Sequence, residues 1–203
     1  MGEILSQYRP IKIAVAALLV AIMAAVGLFT FTKPSRIEIT LQKLDGSSFS
    51  LDEISPKAKA VVVFIQGNGC PIVRKSIRIF EDLRLKYSSE EVAFYLINAN
   101  PQDDANAIAG ELKEYDIKAD ILKDSKQEFM KKMGVTRTAH LLILDRHNWK
   151  AHYSGALDQS LQYEGSNGGS NTSMAAQTLE QVIRGKTGEP VITNVKGCLI
   201  GHI

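Results

Sequence analysis

The sequence predicts an α/β sandwich built around a mixed central sheet. Short β-branched apolar runs, typical of strands buried on both faces, alternate with segments in which apolar residues recur at helical spacing. Near residue 150 this alternation ends with two short strand-like runs joined by a polar turn, which favours an antiparallel closing hairpin. Alternation followed by a hairpin indicates a sheet with both parallel and antiparallel pairs.

The central unit is a strand, a glycine turn, a cysteine and a helix. The apolar run Val61 to Ile65 predicts a fully buried strand, which breaks at Gly67-Asn68-Gly69. Cys70 follows, and the fixed φ of Pro71 suits the first turn of a helix. The next apolar residues recur at helical spacing and form a stripe for the sheet: Val73, Ile77, Phe80 and Leu83.

This position favours a reactive thiol at Cys70. A cysteine at a helix N-terminus faces unpaired N–H groups and the positive end of the helix dipole, which favour its thiolate, and Arg74 adds a cation one turn on. The flanking glycines leave room for a substrate. The alternative is that Cys70 is an inert, buried apolar residue. The reactive interpretation requires a sulfur exposed enough to meet a reactant.

The remaining elements follow from local patterns. A first strand over Ile37 to Leu41, a turn at Asp45-Gly46 and a second strand with Phe49 and Leu51 form a hairpin, followed by a polar connection to Lys59. Cap and turn residues bound the others: strand Val92 to Asn98; a helix capped by Asp103 or Asp104 to about Tyr115; strand Ile117 to Leu122; a helix from Ser125 through Lys132, ended by Gly134; strands Leu141 to Leu144 and Lys150 to Ser154; a mobile loop, Ser154 to Ser173; and helix Met174 to Arg184.

The N-terminal region predicts a membrane anchor. Ile13 to Phe31 contains 19 residues without a charge, about 28 Å as a helix, which is enough to cross a bilayer core. A cleaved signal peptide is the alternative. The predicted organisation is a stub over 1–12, a single span over 13–31, a globular domain over 37–187 on the extracytoplasmic (periplasmic) side, and a tail over 188–203.

Composition excludes several classes of function. The net charge is +2 and no basic stripe is interleaved with aromatic residues, so no nucleic-acid partner is predicted. The two Cys and four His form no zinc motif with local spacing, and no cofactor is predicted. His147 and His152 lie in or beside a turn and are expected to be solvated.

From about residue 37 to the C-terminus, the chain resembles the thioredoxin superfamily, and more closely its redoxin branch, which includes peroxiredoxins and alkyl hydroperoxide reductases. The resemblance rests on the strand ending at Gly69-Cys70-Pro71-Ile72, the stretch Ala93 to Gln102, the element Leu122-Lys123-Asp124, Met133 to Thr136 leading into Leu141 to Asp145, and a C-terminal Gly197-Cys198-Leu199-Ile200. It implies a thioredoxin-like three-layer sandwich and redox chemistry at Cys70.

Three positions depart from the family pattern. Val73 stands where thioredoxins place the second cysteine of Cys-x-x-Cys, and Gly67 stands where peroxiredoxins carry a threonine, which leaves Asn68 as the nearest polar side chain. In Thr138-Ala139-His140, Ala139 occupies the place of the superfamily's cis-proline. A non-proline cis bond costs about 2.5–4 kcal/mol, so a trans bond and a reshaped substrate groove are expected.

Cys198 is the candidate partner of Cys70. A long flexible tail can bring it over the site, because loop-closure entropy grows slowly with length. Cys70 then attacks and Cys198 resolves the product, in thiol-disulfide or peroxide chemistry supported by Gly69, Asn68, Pro71, Arg74, Thr138 and His140. The alternative is a structural disulfide.

Two other functions stay open. In the first, the domain is a non-catalytic subunit that packs against the other subunits of a membrane complex. The leading interpretation, redox chemistry at Cys70, predicts a thiol reductant as the partner. In the second, copper binds a soft ligand set, with His140 expected near Cys70: Cys70, His140, Cys198 and His202. The family's copper-delivery proteins carry Cys-x-x-x-Cys, whereas Arg74 stands at the second position here.

Overall fold

A computed structural model describes residues 39–88, 91–161, 173–186 and 188–203. Within these ranges, strands occupy Thr40–Lys43 (β1), Ser48–Ser50 (β2), Ala60–Gln66 (β3), Val92–Asn98 (β4), Asp120–Lys123 (β5), His140–Asp145 (β6), Ala151–Ala156 (β7) and Val191–Ile192 (β8). Helices occupy Pro71–Tyr87 (α1), Ala105–Glu114 (α2), Glu128–Met133 (α3) and Ser173–Ile183 (α4), with a 3₁₀ turn at Leu51–Glu53.

The strands form one mixed sheet in the order β2-β1-β5-β4-β3-β6-β7-β8. β3 lies at its centre, parallel to β4 and antiparallel to β6, and every residue of β3 is buried. The hairpin of β6 and β7 is antiparallel, as predicted, whereas β7 and β8 are parallel. The α/β sandwich with a mixed sheet is therefore confirmed.

Two apolar layers cover the sheet. On one face, α1, α2 and α4 bury side chains against Phe64 and its neighbours, including the predicted stripe of α1. On the other face, α3 and the 3₁₀ turn pack with Trp149 against Val61, Val63 and the far sides of the neighbouring strands. Strand residues alternate between the two layers because successive side chains of a strand point to opposite faces.

Several predicted boundaries were wrong for local reasons. The N-cap position of α3 is Gln127, and the carboxylate of Asp124 accepts the N–H groups of Glu128 and Met130 in the first turn. The hydroxyl of Ser125, the predicted cap, instead bonds Gln42. β5 begins at Asp120 rather than Ile117. Leu51 belongs to the 3₁₀ turn because Ser50 and Glu53 close a capping box after β2.

The tail contributes a strand that the sequence did not predict. Val191 and Ile192 pair with β7 as the eighth strand of the sheet, which ties the tail to the domain. The predicted anchor over 13–31 lies outside the described residues, as do 162–172 of the predicted loop. Among the helices that the structure describes, none combines the length and apolar character that crossing a membrane requires.

Candidate functional site

Cys70 lies where β3 gives way to α1. A turn closed by the hydrogen bond from the Cys70 N–H to the Gly67 carbonyl follows the strand, and Cys70 then caps α1 with Pro71 in the first turn, as predicted. Gly69 has a φ of +73°, in the left-handed region that glycine adopts without steric cost. The sulfur is therefore held at the positive end of a 17-residue helix.

The C-terminal tail passes directly over this cysteine. The Thr138 N–H donates to the Cys198 carbonyl at 2.9 Å, and the Ile200 N–H donates to the Thr136 carbonyl at 3.0 Å. The tail thus runs antiparallel beside the segment that leads into β6, with a bridge between Arg137 and Leu199. This docking places the Sγ atoms of Cys198 and Cys70 2.7 Å apart.

The two cysteines differ in exposure. Cys70 is only 4% exposed, so the expectation of an accessible thiol at this position was wrong. Cys70 packs in the apolar layer that contains α1, and the sulfur of Cys198 in the tail lies against it, a contact that no local pattern around Cys70 predicts. Cys198 is partly exposed and the next residue, Leu199, is 68% exposed. Solvent therefore reaches the pair from the side of Cys198.

Hydrogen bonds favour the thiolate of Cys70. The Thr138 hydroxyl donates to its Sγ at 3.2 Å and accepts the Cys198 N–H at 3.0 Å, and the Cys198 thiol donates to the same Sγ. Burial alone raises the pKa of Cys70, but these donors and the backbone N–H groups of Val73 and Cys198 outweigh it. The Val73 N–H contributes to this lowering of the pKa, although the Cys70 side chain makes no capping hydrogen bond to α1. The pKa of Cys70 is therefore lowered from its ordinary value of 9.0.

The buried carboxylate of Glu111, on α2, holds the glycine turn in place through hydrogen bonds. Glu111, with 6% of its side chain exposed, accepts the Gly69 N–H at 3.1 Å and the Arg74 Nε at 2.8 Å through one oxygen. Its other oxygen accepts the Gln66 amide at 3.1 Å. The sequence predicts that the guanidinium of Arg74 favours the thiolate directly. In the structure, its Nε donates to Glu111 instead.

A second carboxylate holds the neighbouring part of the turn. Asp103 accepts the Asn68 N–H at 2.9 Å and the side-chain amides of Asn98 and Asn100. The Asn98 amide also donates to Gln66, which links the two carboxylates into one buried polar network. Local spacing at Asn68 and Gly69 does not reveal these partners, because they follow β4 or lie on α2.

The comparison with known families follows this geometry. Residues 30–160, which are more than half of the chain, match the redoxin family. The chain belongs to the redoxin family. The matched range contains Cys70 and ends before Cys198, so the tail that covers the site lies outside it. No curated protein matches this redoxin.

Solved structures share the fold of this redoxin. An uncharacterised conserved protein from Geobacillus kaustophilus has a TM-score of 0.70 at 25% identity, covering 81% of this chain and 88% of that one. Mycobacterium tuberculosis DsbF, solved in mixed oxidised and reduced forms, has a TM-score of 0.55 at 16% identity, covering 74% and 99%. A secreted disulfide oxidoreductase from M. tuberculosis has a TM-score of 0.50 at 13% identity, covering 73% and 96%. Together with the sheet, these neighbours establish the thioredoxin-like fold.

Two departures from the family pattern have a structural account in this redoxin. The described residues contain no cis peptide, so the bond before Ala139 is trans, as expected, and Ala139 has a φ of +56°. A proline, with φ fixed near −65°, cannot adopt that backbone. A Cβ at Gly67 would stand 2.5 Å from Cγ2 of Thr138. Thr138 therefore fills the space that a threonine at position 67 needs, and its own hydroxyl bonds Cys70.

His140 does not lie with Cys70. Along β6, Leu141 packs in the layer that contains Cys70, whereas Leu142 packs in the opposite layer. His140 shares the face of Leu142, and its Nε2 bonds the Ser154 hydroxyl at 2.8 Å. Burial lowers the pKa of His140 to about 4, so the ring is neutral at pH 7. The expectation that His140 stands beside the thiol was wrong because strand alternation turns it away.

The candidate copper ligands are not gathered into one site. His202 is exposed in the tail, and His140 faces the other layer of the sheet. Among the described residues, no three His, Cys, Asp or Glu side chains are grouped to hold a metal ion. His147 is exposed, as predicted, but the expectation for His152 was wrong: it lies within β7, beside the bulge between β6 and β7, and is buried.

Replacing Thr138 with valine is expected to raise the pKa of Cys70. The change keeps the shape of the side chain and removes a hydrogen-bond donor that stabilises the thiolate of Cys70. Ultraviolet thiolate absorbance during a pH titration measures the shift. Thr136→Val, at an exposed position two residues earlier, is the matched control. Equal shifts in both variants contradict the assignment.

Replacing Glu111 with glutamine is expected to lower the free energy of unfolding by about 1–3 kcal/mol. The buried carboxylate accepts three hydrogen bonds, and the amide turns one acceptor into a donor facing another donor. Urea unfolding measures the loss. Glu114→Gln lies on the same helix at an exposed position and is expected to change stability little. Equal losses in the two variants mean that the network does not stabilise the turn.

Proposed function

We propose that this redoxin is a thiol-disulfide oxidoreductase that cycles Cys70 and Cys198 between two thiols and one disulfide. The observation that carries the proposal is the 2.7 Å approach of the two Sγ atoms across a separation of 128 residues. A disulfide requires about 2.05 Å between sulfurs, so little movement separates the dithiol from the bonded state.

The environment of the pair supports exchange rather than a passive contact. Thiol-disulfide exchange is faster when the departing sulfur has a low pKa, and the pKa of Cys70 is lowered by its hydrogen bonds. The same donors stabilise the reduced form and therefore make the disulfide easier to reduce. A structural staple gains nothing from either property.

Peroxide chemistry is supported less well. A peroxide-reducing thiol must meet its substrate directly, and Cys70 is 4% exposed beneath the tail. Gly67 supplies no hydroxyl to hold a peroxide, and the Thr138 hydroxyl is engaged by Cys70 and Cys198. We therefore favour disulfide exchange over peroxide reduction.

A redox titration of the full-length protein tests the proposal. Wild-type protein equilibrated in glutathione buffers is expected to pass reversibly between dithiol and disulfide, and to accelerate reduction of insulin disulfides by dithiothreitol. Cys70→Ser and Cys198→Ser each remove the couple and are the matched controls. A disulfide with a reduction potential below about −300 mV, which glutathione does not reduce, contradicts the proposal.

That contrary result identifies the second candidate function, a non-catalytic subunit of a membrane complex stapled by the same cysteines. The burial of Cys70 favours this candidate. Co-purification of the protein with a large assembly, together with a glutathione-resistant disulfide, supports it.

We also propose that residues 13–31 anchor the protein by one span, with the domain outside the cytoplasm. The uncharged run of 19 residues supports the span. Protease added to intact cells, or to spheroplasts where an outer membrane is present, is expected to digest the domain. Digestion only after permeabilisation of the inner membrane places the domain inside.

A further inference from the structure

The two sulfurs of the couple are not equivalent toward an outside reactant. This inference rests on the proposed function, in which the two cysteines form a reversible disulfide. Cys70 is enclosed by the apolar residues of the layer that contains α1, including Ile72 and Val73. Cys198 lies on the outer side of the pair, and Leu199 beside it is among the most exposed large apolar residues described.

Exchange requires attack nearly along the line of the breaking S–S bond, from the side opposite the departing sulfur. Cys70 is 4% exposed and packs in the apolar layer of α1, which leaves a reactant little room to approach its sulfur. Cys198 is partly exposed and is therefore the more accessible of the two cysteines. Access therefore selects Cys198.

The stability of the departing thiolate also favours attack on Cys198. Attack on Cys198 expels Cys70, which keeps the hydrogen bond from the Thr138 hydroxyl. Attack on Cys70 would not use this stabilised leaving group. Stabilisation of the leaving thiolate thus favours the same direction as access.

We propose that Cys198, and not the helix-capping Cys70, exchanges disulfides with an external dithiol protein that reduces this redoxin. A thiolate of the partner attacks the Sγ of Cys198, a new S–S bond joins the two proteins, and the Cys70–Cys198 bond breaks with its electron pair on Cys70. The partner's second thiolate then attacks the partner sulfur of that mixed disulfide. Cys198 leaves as a thiolate and is protonated, and the partner departs as a disulfide. Two electrons pass from the partner to this redoxin.

The exposed apolar surface around the tail indicates what such a partner presents. Leu199 and Ile203 are 68% and 66% exposed, one residue and five residues beyond the reacting sulfur. An extended segment with exposed apolar side chains on either side of Gly201 suits an apolar groove that flanks the partner's attacking thiol. The partner class is therefore a dithiol protein whose active cysteine borders such a groove.

Trapping the mixed disulfide tests which sulfur reacts. Oxidised full-length protein is mixed with reduced glutathione, quenched with acid and maleimide within the first turnover, and digested with trypsin. The two cysteines fall in separate peptides, residues 60–74 and 197–203. Glutathione is expected on Cys198 and maleimide on Cys70, in about tenfold excess over the reverse pattern. The same reaction in urea-unfolded protein is the control and is expected to show a ratio near one.

The outcomes separate this inference from the proposed function. Glutathione mainly on Cys70, or equally on both cysteines of the folded protein, overturns the assignment of Cys198 while the couple itself stands. Absence of an internal disulfide after oxidation overturns the proposed function and this inference with it. Reaction with a thioredoxin whose second active-site cysteine is replaced by serine, so that the mixed disulfide is not resolved, is expected to give the adduct on the same peptide, and an adduct on the Cys70 peptide again overturns the assignment.

Discussion

Oxidation of Cys70 and Cys198 to a disulfide is expected to raise the free energy of unfolding by less than about 5 kcal/mol. In the chain-entropy model, a bond that closes a loop across a separation of 128 residues removes about that much entropy from the unfolded chain at 25 °C. The reduced state is stabilised as well, because the folded protein favours the Cys70 thiolate. The difference between the two states therefore falls below the entropic limit.

The difference in stability between the oxidised and the reduced protein is also expected to decrease as the pH rises. In the reduced protein, the pKa of Cys70 is lower in the folded chain than its ordinary value of 9.0. The unfolded chain then binds more protons between the two pKa values, so the stability of the reduced protein rises with pH in that window and is fully gained above 9.0. The oxidised protein has no such thiol. The stability gap between oxidised and reduced protein should narrow as the pH approaches 9.

Urea unfolding of both forms at pH 7 and pH 9 measures these quantities. The double variant Cys70→Ser, Cys198→Ser is the control and should respond to oxidant in neither its midpoint nor its slope. A gap near the full entropic value that stays constant with pH contradicts a stabilised thiolate. Such a gap supports a structural disulfide. The free energy by which a disulfide stabilises the fold equals the free energy by which folding stabilises the disulfide, so a large gap means a disulfide that is hard to reduce.

Much of the fold could be predicted because it is encoded locally. The β-branched run of β3, the glycine turn and Pro71 each determine backbone conformation within a few residues, and Cys70 was placed correctly as the cap of α1. The same holds for Gly134, which ends α3 with a φ of +66°. These features depend on short-range sterics and hydrogen bonds.

The candidate site could be predicted only in part because its contacts are long-range. Glu111 supports Gly69 from 42 residues away, and no spacing rule points to a carboxylate inside an ordinary amphipathic helix. The predicted position of His140 was wrong because the face to which a strand residue points depends on the residue at which the strand begins. β6 begins at His140, and Ala139, in a left-handed conformation, separates Thr138 from that strand. The contact between Cys70 and Cys198 spans 128 residues and depends on the packing of the tail beside Thr138, which no local pattern predicts.

Replacing Gly197 with alanine is expected to slow formation of the Cys70–Cys198 disulfide by about 100-fold. A Cβ at this position would overlap the carbonyl group of Thr138, which is backbone and cannot rotate away. The tail must then move outward by about an ångström, and misplacement on that scale costs on the order of 100-fold in rate for reacting groups. The displacement also weakens the bond from the Thr138 N–H to the Cys198 carbonyl.

The same variant separates loss of docking from general loss of stability. Disulfide formation is followed by quenched alkylation after addition of glutathione disulfide, and iodoacetamide labelling of Cys70 is followed in parallel. Labelling of Cys70 should increase, because the Cys198 sulfur that lies against that of Cys70 has moved away. Gly188→Ala is the matched control, since a Cβ at Gly188 meets nothing within 4 Å. A Gly197→Ala protein that forms the disulfide at the wild-type rate, with Cys70 still protected, would show that the close approach of Gly197 to Thr138 does not set the position of Cys198.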